Sequence, residues 1–474
     1  MSDVEEPEPC KGRMCEYRLE LDGIVIWECR RPALSERKKY CLFHDPDHWR
    51  ENPDEVRQEF YELVRQAIEN GEPLMCIGYH LPDIRLTDEE LGVEVEFRAP
   101  VIFRDAHFHG CADFSGAQFQ GYADFSGSTV LGKLLFKRDP EHSPLFPLIS
   151  SPSKLDLRVM ARFHSIRFKL PEKPGVEGRL IFDGVAMHRV SLMDTDLSHV
   201  EFRDVDWWEF KGAYMTIGQA VFLIANSEEF TDEYCEWAGS SWLKALILML
   251  KRGLRRPSEL LCLPSALRYV KSMAEKARRE RDELREECGK IARRYGFTFD
   301  NVLQELRNLR DWHDRRMRYE RGGRFFISEM DTKRWVGPRA AQQGAEKGRL
   351  KRFASWLERL IITFYRWLCL YGESMARPLA GLFLAWLVFG LFYALWPPSV
   401  LQDVPGLLGL LSAPQQLPLA LYKGLELSFS ALLQMPPPTS EASVVAERAL
   451  SVLLMGSFLT ALKRKLERKM RRGG

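Results

Sequence analysis

Residues 182–207 read FDGVAMHRVSLMDTDLSHVEFRDVDW, with Phe182, Met187, Leu192, Leu197, Phe202 and Trp207 at unbroken intervals of five. Neither a helix, with about 3.6 residues per turn, nor an alternating strand has that period. A second series runs through Phe103, Phe108, Phe114, Phe119, Phe125 and Val130 with two six-residue steps. The text repeats as well: Ala112-Asp113-Phe114-Ser115-Gly116 recurs as Ala123-Asp124-Phe125-Ser126-Gly127. A small residue (Ala106, Ala112, Ala117, Ala123) sits two places before the apolar one. Such a chain turns a corner at each unit, the large side chain filling the axis and the small one fitting where walls meet. The expected fold is a right-angled β-solenoid.

These units resemble the pentapeptide-repeat family, whose coils have four faces of five residues each. The resemblance covers roughly Phe97 to Phe210 and weakens between about Lys133 and Lys154. A break from Leu170 to Arg179 holds Pro171, Pro174 and four charged residues, and is expected to loop out. Solenoids serve as scaffolds and binding surfaces, so the resemblance implies a protein partner without identifying it.

At 474 residues the chain has room for about three domains. The balance of 68 basic and 66 acidic residues leaves a formal charge of +2 and gives no general case for nucleic acid, so none is expected as a partner. Met1 to Pro9 is acidic and polar, unlike a signal peptide, so the soluble part is expected in the cytoplasm. Disulfides are rare there, and clustered cysteines favour metal.

Four of the ten cysteines fall in the first 45 residues. Cys41-Leu42-Phe43-His44 sets a thiol and an imidazole either side of two residues. Cys15 and Cys29 supply the second pair across an expected hairpin, with Asp22-Gly23 as its turn and Ile24-Val25-Ile26-Trp27 as its second strand. Three thiolates and one imidazole suit a closed structural zinc site. Cys10 is an alternative to Cys15, and His48 lies one turn from His44 if a helix starts there. The text around these residues resembles a small zinc-knuckle module found ahead of pentapeptide repeats.

Pro378 to Trp396 is nineteen residues without a charge, long enough for a hydrocarbon core of about 30 Å. Ala442 to Leu462 follows with 21 residues, of which only Glu447 and Arg448 are charged. Glu447, near the start of its span, is expected to snorkel with Arg448. Arg352, Arg359, Arg366 and Arg377 precede the first span and Lys463 to Arg472 follows the second, whereas the loop from Pro397 to Ala446 has one basic residue, Lys423. Both termini are therefore expected in the cytoplasm. Upstream, Phe353, Leu357, Leu360, Phe364, Trp367 and Tyr371 form a helical stripe suited to a lipid interface.

Between the spans, Leu417 to Met435 reads as a re-entrant helix. The ensemble resembles membrane proteins that join pentapeptide repeats to a two-helix ion-channel-like module, through Tyr371-Gly372-Glu373, Arg377-Pro378, Ser428-Phe429-Ser430 and Gly456-Ser457-Phe458-Leu459. Those relatives carry a glycine-rich filter; this chain has Leu432-Leu433-Gln434-Met435-Pro436-Pro437. Proline locks φ and removes a donor, so a ring of filter carbonyls is not expected.

The organisation expected is multidomain: a knuckle at 1–50, a helical linker at 51–95, the solenoid at 96–212 and a charged helical stalk at 213–348. A membrane module at 349–474 completes it, with an amphipathic helix at 350–371, spans at 378–396 and 442–462, a re-entrant segment at 417–435 and a basic tail at 463–474. No nucleophile elbow, phosphate loop or paired-carboxylate motif is present, and His107 and His109 flank Phe108 and point off the core. The expected function is a non-enzymatic, membrane-anchored scaffold or sensor with a degenerate channel-like module, homo-oligomeric assembly being open to it. The alternative is an ion channel or conductance regulator gated by its cytoplasmic part.

Overall fold

The five-residue period becomes two-residue strands that pair in parallel with the strand one coil away. Val101–Ile102 lies between Leu74–Met75 and Ala123–Asp124. The computed structural model describes residues 13–21, 23–139, 145–146, 160–169, 178–237, 263–340, 349–398, 401, 404, 406, 414–435 and 442–470. The chain divides into a first unit, Met1–Arg316 with Arg324–Val336, and a second, Met317–Gly323 with Gly337–Gly474.

In the first unit, one ladder joins Leu74–Met75, Val101–Ile102, Ala123–Asp124, Ala161–Arg162 and Val190–Ser191. A second joins His80–Leu81, His107–Phe108, Thr129–Val130 and Arg167–Phe168. The third runs from Ile84–Arg85 through Ala112–Asp113, Lys133–Lys137 and Arg179–Asp183 to Val200–Arg203, and Glu96–Phe97 pairs with Gln118–Phe119 on a fourth face. The chain visits these faces in fixed rotation, which makes the stack β-solenoid-like.

Corner chemistry explains the repeated text. The residue two beyond the central apolar one takes a left-handed conformation at Asp105 (φ 55°), Gly116 (79°), Gly127 (71°), Ser165 (52°) and Asp194 (56°), where Gly, Asp or Ser is tolerated best. Asp113 and Asp124 accept the Ser115 and Ser126 amides at 2.9 Å and hold those corners. Inside, rings stack coil upon coil, Phe103 on Phe125 on Phe163 at 5.2 and 4.8 Å. A second column runs through Phe114, Phe136, Phe182 and Phe202 at 5.0, 5.6 and 5.8 Å. Each buried ring contributes roughly 2 kcal/mol.

The stack begins earlier than the boundary at residue 96. Leu74, Leu81 and Ile84 already build a coil within the expected linker, whose long helix, α1, covers only Pro53–Asn70. This coil lacks the repeat text because one side of it meets a cap instead of another coil. Val56, Phe60, Tyr61 and Val64 of α1 are buried at that end, and Tyr61 Oη accepts the Arg85 amide at 2.9 Å. Lys133–Lys137, in the stretch expected to match poorly, is a strand paired on both sides. Residues 170–177 of the expected loop lie outside the described residues.

Among the described residues five helices follow: α2 (Ile217–Asn226), α3 (Glu228–Trp237), α4 (Leu263–Tyr295), α5 (Phe299–Arg315) and α6 (Tyr319–Ala340). Within the region 213–348, expected as a solvated stalk, α5 and α6 are instead packed on the stack. Helix α5 buries Val302, Leu303, Leu306, Leu309 and Trp312, spaced as one face of a helix, against the last coils. Trp312 Nε1 donates to the Val200 carbonyl at 2.8 Å, and Phe325 of α6 packs edge-on to Trp207 at 4.9 Å. Much of the charge on these helices lies on their outer faces, although Glu305 of α5 and Glu329 of α6 are buried.

The second unit contains α7 (Arg349–Cys369), α8 (Ala376–Leu395), α9 (Leu417–Leu432) and α10 (Ala442–Met470). Helices α8 and α10 are long and apolar enough to cross a membrane. At 16 residues, α9 reaches about 24 Å and falls short of a span. It crosses α8 closely: a Cβ on Gly424 would lie 2.3 Å from the Gly390 carbonyl, and Trp386 Nε1 donates to the Leu425 carbonyl at 2.9 Å. Tyr371, expected on the exposed stripe of α7, is instead buried in an elbow where Leu370, Tyr371 and Gly372 have φ of 51°, 58° and 84°.

Candidate metal centre

Strand β1 (Arg18–Leu21) and strand β2 (Ile24–Glu28) form the expected hairpin, with Gly23 at φ 79° in its turn and Asp22 outside the described residues. Cys15 precedes β1 and Cys29 follows β2. The Cys15 amide donates to the Arg31 carbonyl at 2.9 Å and the Cys29 amide to the Tyr17 carbonyl at 3.0 Å, which brings the two thiols together. After the hairpin, the amides of His44 and Asp45 both donate to the Cys41 carbonyl at 3.0 Å and fold the second pair into a tight turn.

All four side chains are buried, and their ligand atoms lie within 4.8 Å of one another. Cys29 Sγ and Cys41 Sγ are 3.9 Å apart, while His44 Nδ1 is 3.5 Å from Cys15 Sγ and 3.2 Å from Cys41 Sγ. A tetrahedral ion with sulfur at about 2.3 Å and nitrogen at about 2.0 Å separates its ligand atoms by about 3.5–3.8 Å. The donor set therefore fits a metal ion.

Surrounding groups orient the donors. His44 Nε2 lies 2.8 Å from the Ile77 carbonyl, which can only accept, so the ring proton belongs on Nε2 and Nδ1 is left for metal. The Cys41 amide donates to Cys15 Sγ at 3.3 Å, and Tyr17 stacks on the imidazole at 4.0 Å. Without a cation the thiols hold their protons unevenly. Burial pushes Cys15 up; a hydrogen bond with Cys29, then burial, raises Cys41 to about 12; the same bond lowers Cys29. A bound cation would replace those protons, and four protein donors would leave no open position for a substrate.

The centre is fastened to the first coil. Besides the Ile77 bond, the His80 amide donates to the Phe43 carbonyl at 2.8 Å, and Phe43 stacks on Tyr79 at 4.4 Å. Of the alternatives, Cys10 lies outside the described residues, and His48 pairs with Glu55 at 3.1 Å.

His107 and His109 do face away from the axis, but neither is a plain surface residue. His80 Nδ1 is 2.9 Å from His109 Nε2, His80 stacks on His107 at 4.4 Å and Trp49 covers His109 at 3.6 Å. Burial lowers His80 to about 4 and His109 to about 3, so the group is neutral at cellular pH. Among the described residues, only the Cys15, Cys29, Cys41 and His44 group brings three or more candidate donor residues together closely enough for a metal.

The snorkelling pair expected at Glu447 and Arg448 is not formed. Glu447 is fully buried and faces Tyr393 and Ser428, while Arg448 turns to the Met435 carbonyl. Glu305 gave no signal in sequence, standing in a charge-rich helix like many solvated acids. It is buried at the end of the stack, where it accepts the Leu192 amide at 2.7 Å and the Thr216 hydroxyl at 3.0 Å.

No curated protein and no solved structure matches the chain. Parallel pairing continues well past the segment that a family model matches, through Val200–Arg203, where the corners include short 3-10 turns at Met187–Arg189 and Leu197–His199. The chain carries pentapeptide repeats, matched over residues 93–138 by the family model described as Pentapeptide repeats (9 copies).

Proposed function

We propose that this chain is a membrane-anchored scaffold or sensor whose repeat stack offers a binding surface to a protein partner on the cytoplasmic side. One observation carries the membrane half of this reading. Helices α8 and α10 turn their large apolar side chains outward: Phe383, Leu384 and Val388 on one, Val452, Leu453 and Leu459 on the other, each more than half exposed. A soluble core helix would bury that face. Leu357, Leu360, Ile361, Phe364 and Trp367 of α7 are likewise exposed, which suits a helix lying in a lipid interface.

Basic groups gather near one end of α8 and α10. Arg464 donates to the Tyr371 carbonyl at 2.6 Å, and Arg377 to the Arg366 carbonyl at 3.4 Å. That arrangement supports placing both termini in the cytoplasm. The metal in this reading is zinc in a structural role, joining the hairpin to the first coil. Conductance has less support. Gln434, just beyond α9, has φ 60° and donates its amide to Ser451 at 2.6 Å and to the Arg448 carbonyl at 3.1 Å, a use that suits a side-chain tie to α10 better than an open filter loop. Pro436 to Pro438 lie outside the described residues.

Alkaline carbonate extraction of membranes from expressing cells tests the anchoring: the full chain should remain with the bilayer. Recovery in the soluble fraction would overturn this reading.

A further inference from the structure

We propose that Glu447 is a neutral carboxylic acid that donates its proton to Ser428, a proton-binding site built into the packing of α8, α9 and α10. Glu447 lies on α10, Ser428 on α9 and Tyr393 on α8, and all three side chains are fully buried. Ser428 Oγ makes a short hydrogen bond with Glu447 Oε1 and also lies 3.1 Å from the Trp386 carbonyl. A serine hydroxyl has one hydrogen, and a carbonyl can only accept. If that hydrogen goes to Trp386, the hydrogen between Ser428 and Glu447 must come from the carboxyl. Tyr393 Oη, 2.8 Å from Glu447 Oε2, donates to the other oxygen. Both oxygens of the acid are then used, one as donor and one as acceptor.

Charge leads to the same assignment. Arg448, next in sequence, is spent on the Met435 carbonyl, and no ion pair to Glu447 forms among the described residues. An ionised carboxylate with no cation beside it in an apolar surround is strongly disfavoured, and a bound proton relieves that penalty. The site takes a proton, and its hydroxyl partners tie three helices together without a net charge. This draws on the membrane reading only for the medium around the helices; the hydrogen count is the same in detergent.

Infrared spectroscopy of the full-length protein in lipid at about pH 9, where ordinary carboxyls are ionised, tests the assignment. The wild type should show a carboxylic-acid carbonyl band that disappears in Glu447→Gln and shifts in Tyr393→Phe. Glutamine can keep both contacts, its amide donating to Ser428 and its carbonyl accepting from Tyr393, so this variant should assemble. A spectrum in which Glu447→Gln removes carboxylate bands instead would overturn the proposal. Should that variant fail to fold, absence of an acid band from the wild type, or a band unmoved in Tyr393→Phe, would overturn it equally. Release of the protein from membranes would count against the anchoring alone and leave the infrared result standing.

Discussion

Gly78 sits where the metal hairpin meets the first coil, and its missing side chain makes the junction possible. Its φ is 69°, and a Cβ there would fall 2.1 Å from the Tyr17 ring that stacks on His44. Gly78→Ala combines a strained backbone with a displaced ring and should cost roughly 2 kcal/mol or more. Chemical denaturation reads that loss, and elemental analysis should show weaker metal retention. In Cys41→Ser the loss of metal should be complete, from about one zinc per chain to none; unchanged content in purified protein would remove the assignment. Glu305 makes a separate prediction. Burial, opposed by its hydrogen bonds, pushes its carboxyl up from 4.5 to about 7. Between those values the folded chain keeps a proton that the unfolded chain has released. Its contribution is thus complete below about pH 4.5 and is lost as pH rises through about 7, on the order of 3 kcal/mol. The lowered histidines act with the opposite sign, so the comparison is between wild type and Glu305→Gln. The variant should lose this component of the melting-temperature slope from about pH 5 to 8, and an unchanged slope would refute it.

Two packed columns and one helix crossing set the stability of the elements. Phe136 stacks on Phe114 below and Phe182 above, and it bridges the coils that precede and follow residues 140–159 in the sequence. Phe136→Ala should cost about 3–5 kcal/mol, because neighbouring coils are held by their hydrogen-bond ladders and cannot collapse into the space. Calorimetry of the full chain would detect it as a lowered transition for the stack. The α8–α9 crossing depends on Gly424 in another way. What a new Cβ meets there is backbone, the Gly390 carbonyl, so no side chain can rotate away. Gly424→Ala should separate the helices at a cost of about 1–3 kcal/mol, measurable as slower oxidative cross-linking between cysteines placed on α8 and α9.

At the level of the molecule, the repeat stack has different closures at its two ends. Helix α1 and the metal centre cover the first coil, while α5 covers the last through Trp312 and Glu305. A stack of coils transmits order mainly between neighbours. Chelation should therefore raise amide exchange at 74–85 first and leave 190–203 protected. Uniform loss of protection would mean that the stack melts as one unit. In planar bilayers the protein should carry no potassium-selective current, even as an oligomer. Reproducible selective single-channel currents abolished by Gln434→Ala would reverse the scaffold reading.

Sequence alone was sufficient wherever the determining geometry is local. The five-residue spacing repeats one corner after another, so it marked Phe103, Phe125 and Phe182 as axial before any coil was paired. Cys15, Cys29, Cys41 and His44 were legible because thiols and imidazole at turn spacing have a narrow chemical use. Two apolar segments declared themselves by length and by the absence of charge. Tertiary structure decided what depends on surfaces distant in sequence. The coil at Leu74 has no repeat text, since its outer side meets α1 and the metal hairpin. Charged α5 resembled a solvated rod until the last coil supplied an apolar surface for its buried face. Glu447 looked like an interfacial acid beside an arginine, and only the approach of α8 and α9 placed two hydroxyls around it. Periodicity and ligand type are properties of the chain itself, whereas burial of a given face requires a partner surface that only the fold brings to it.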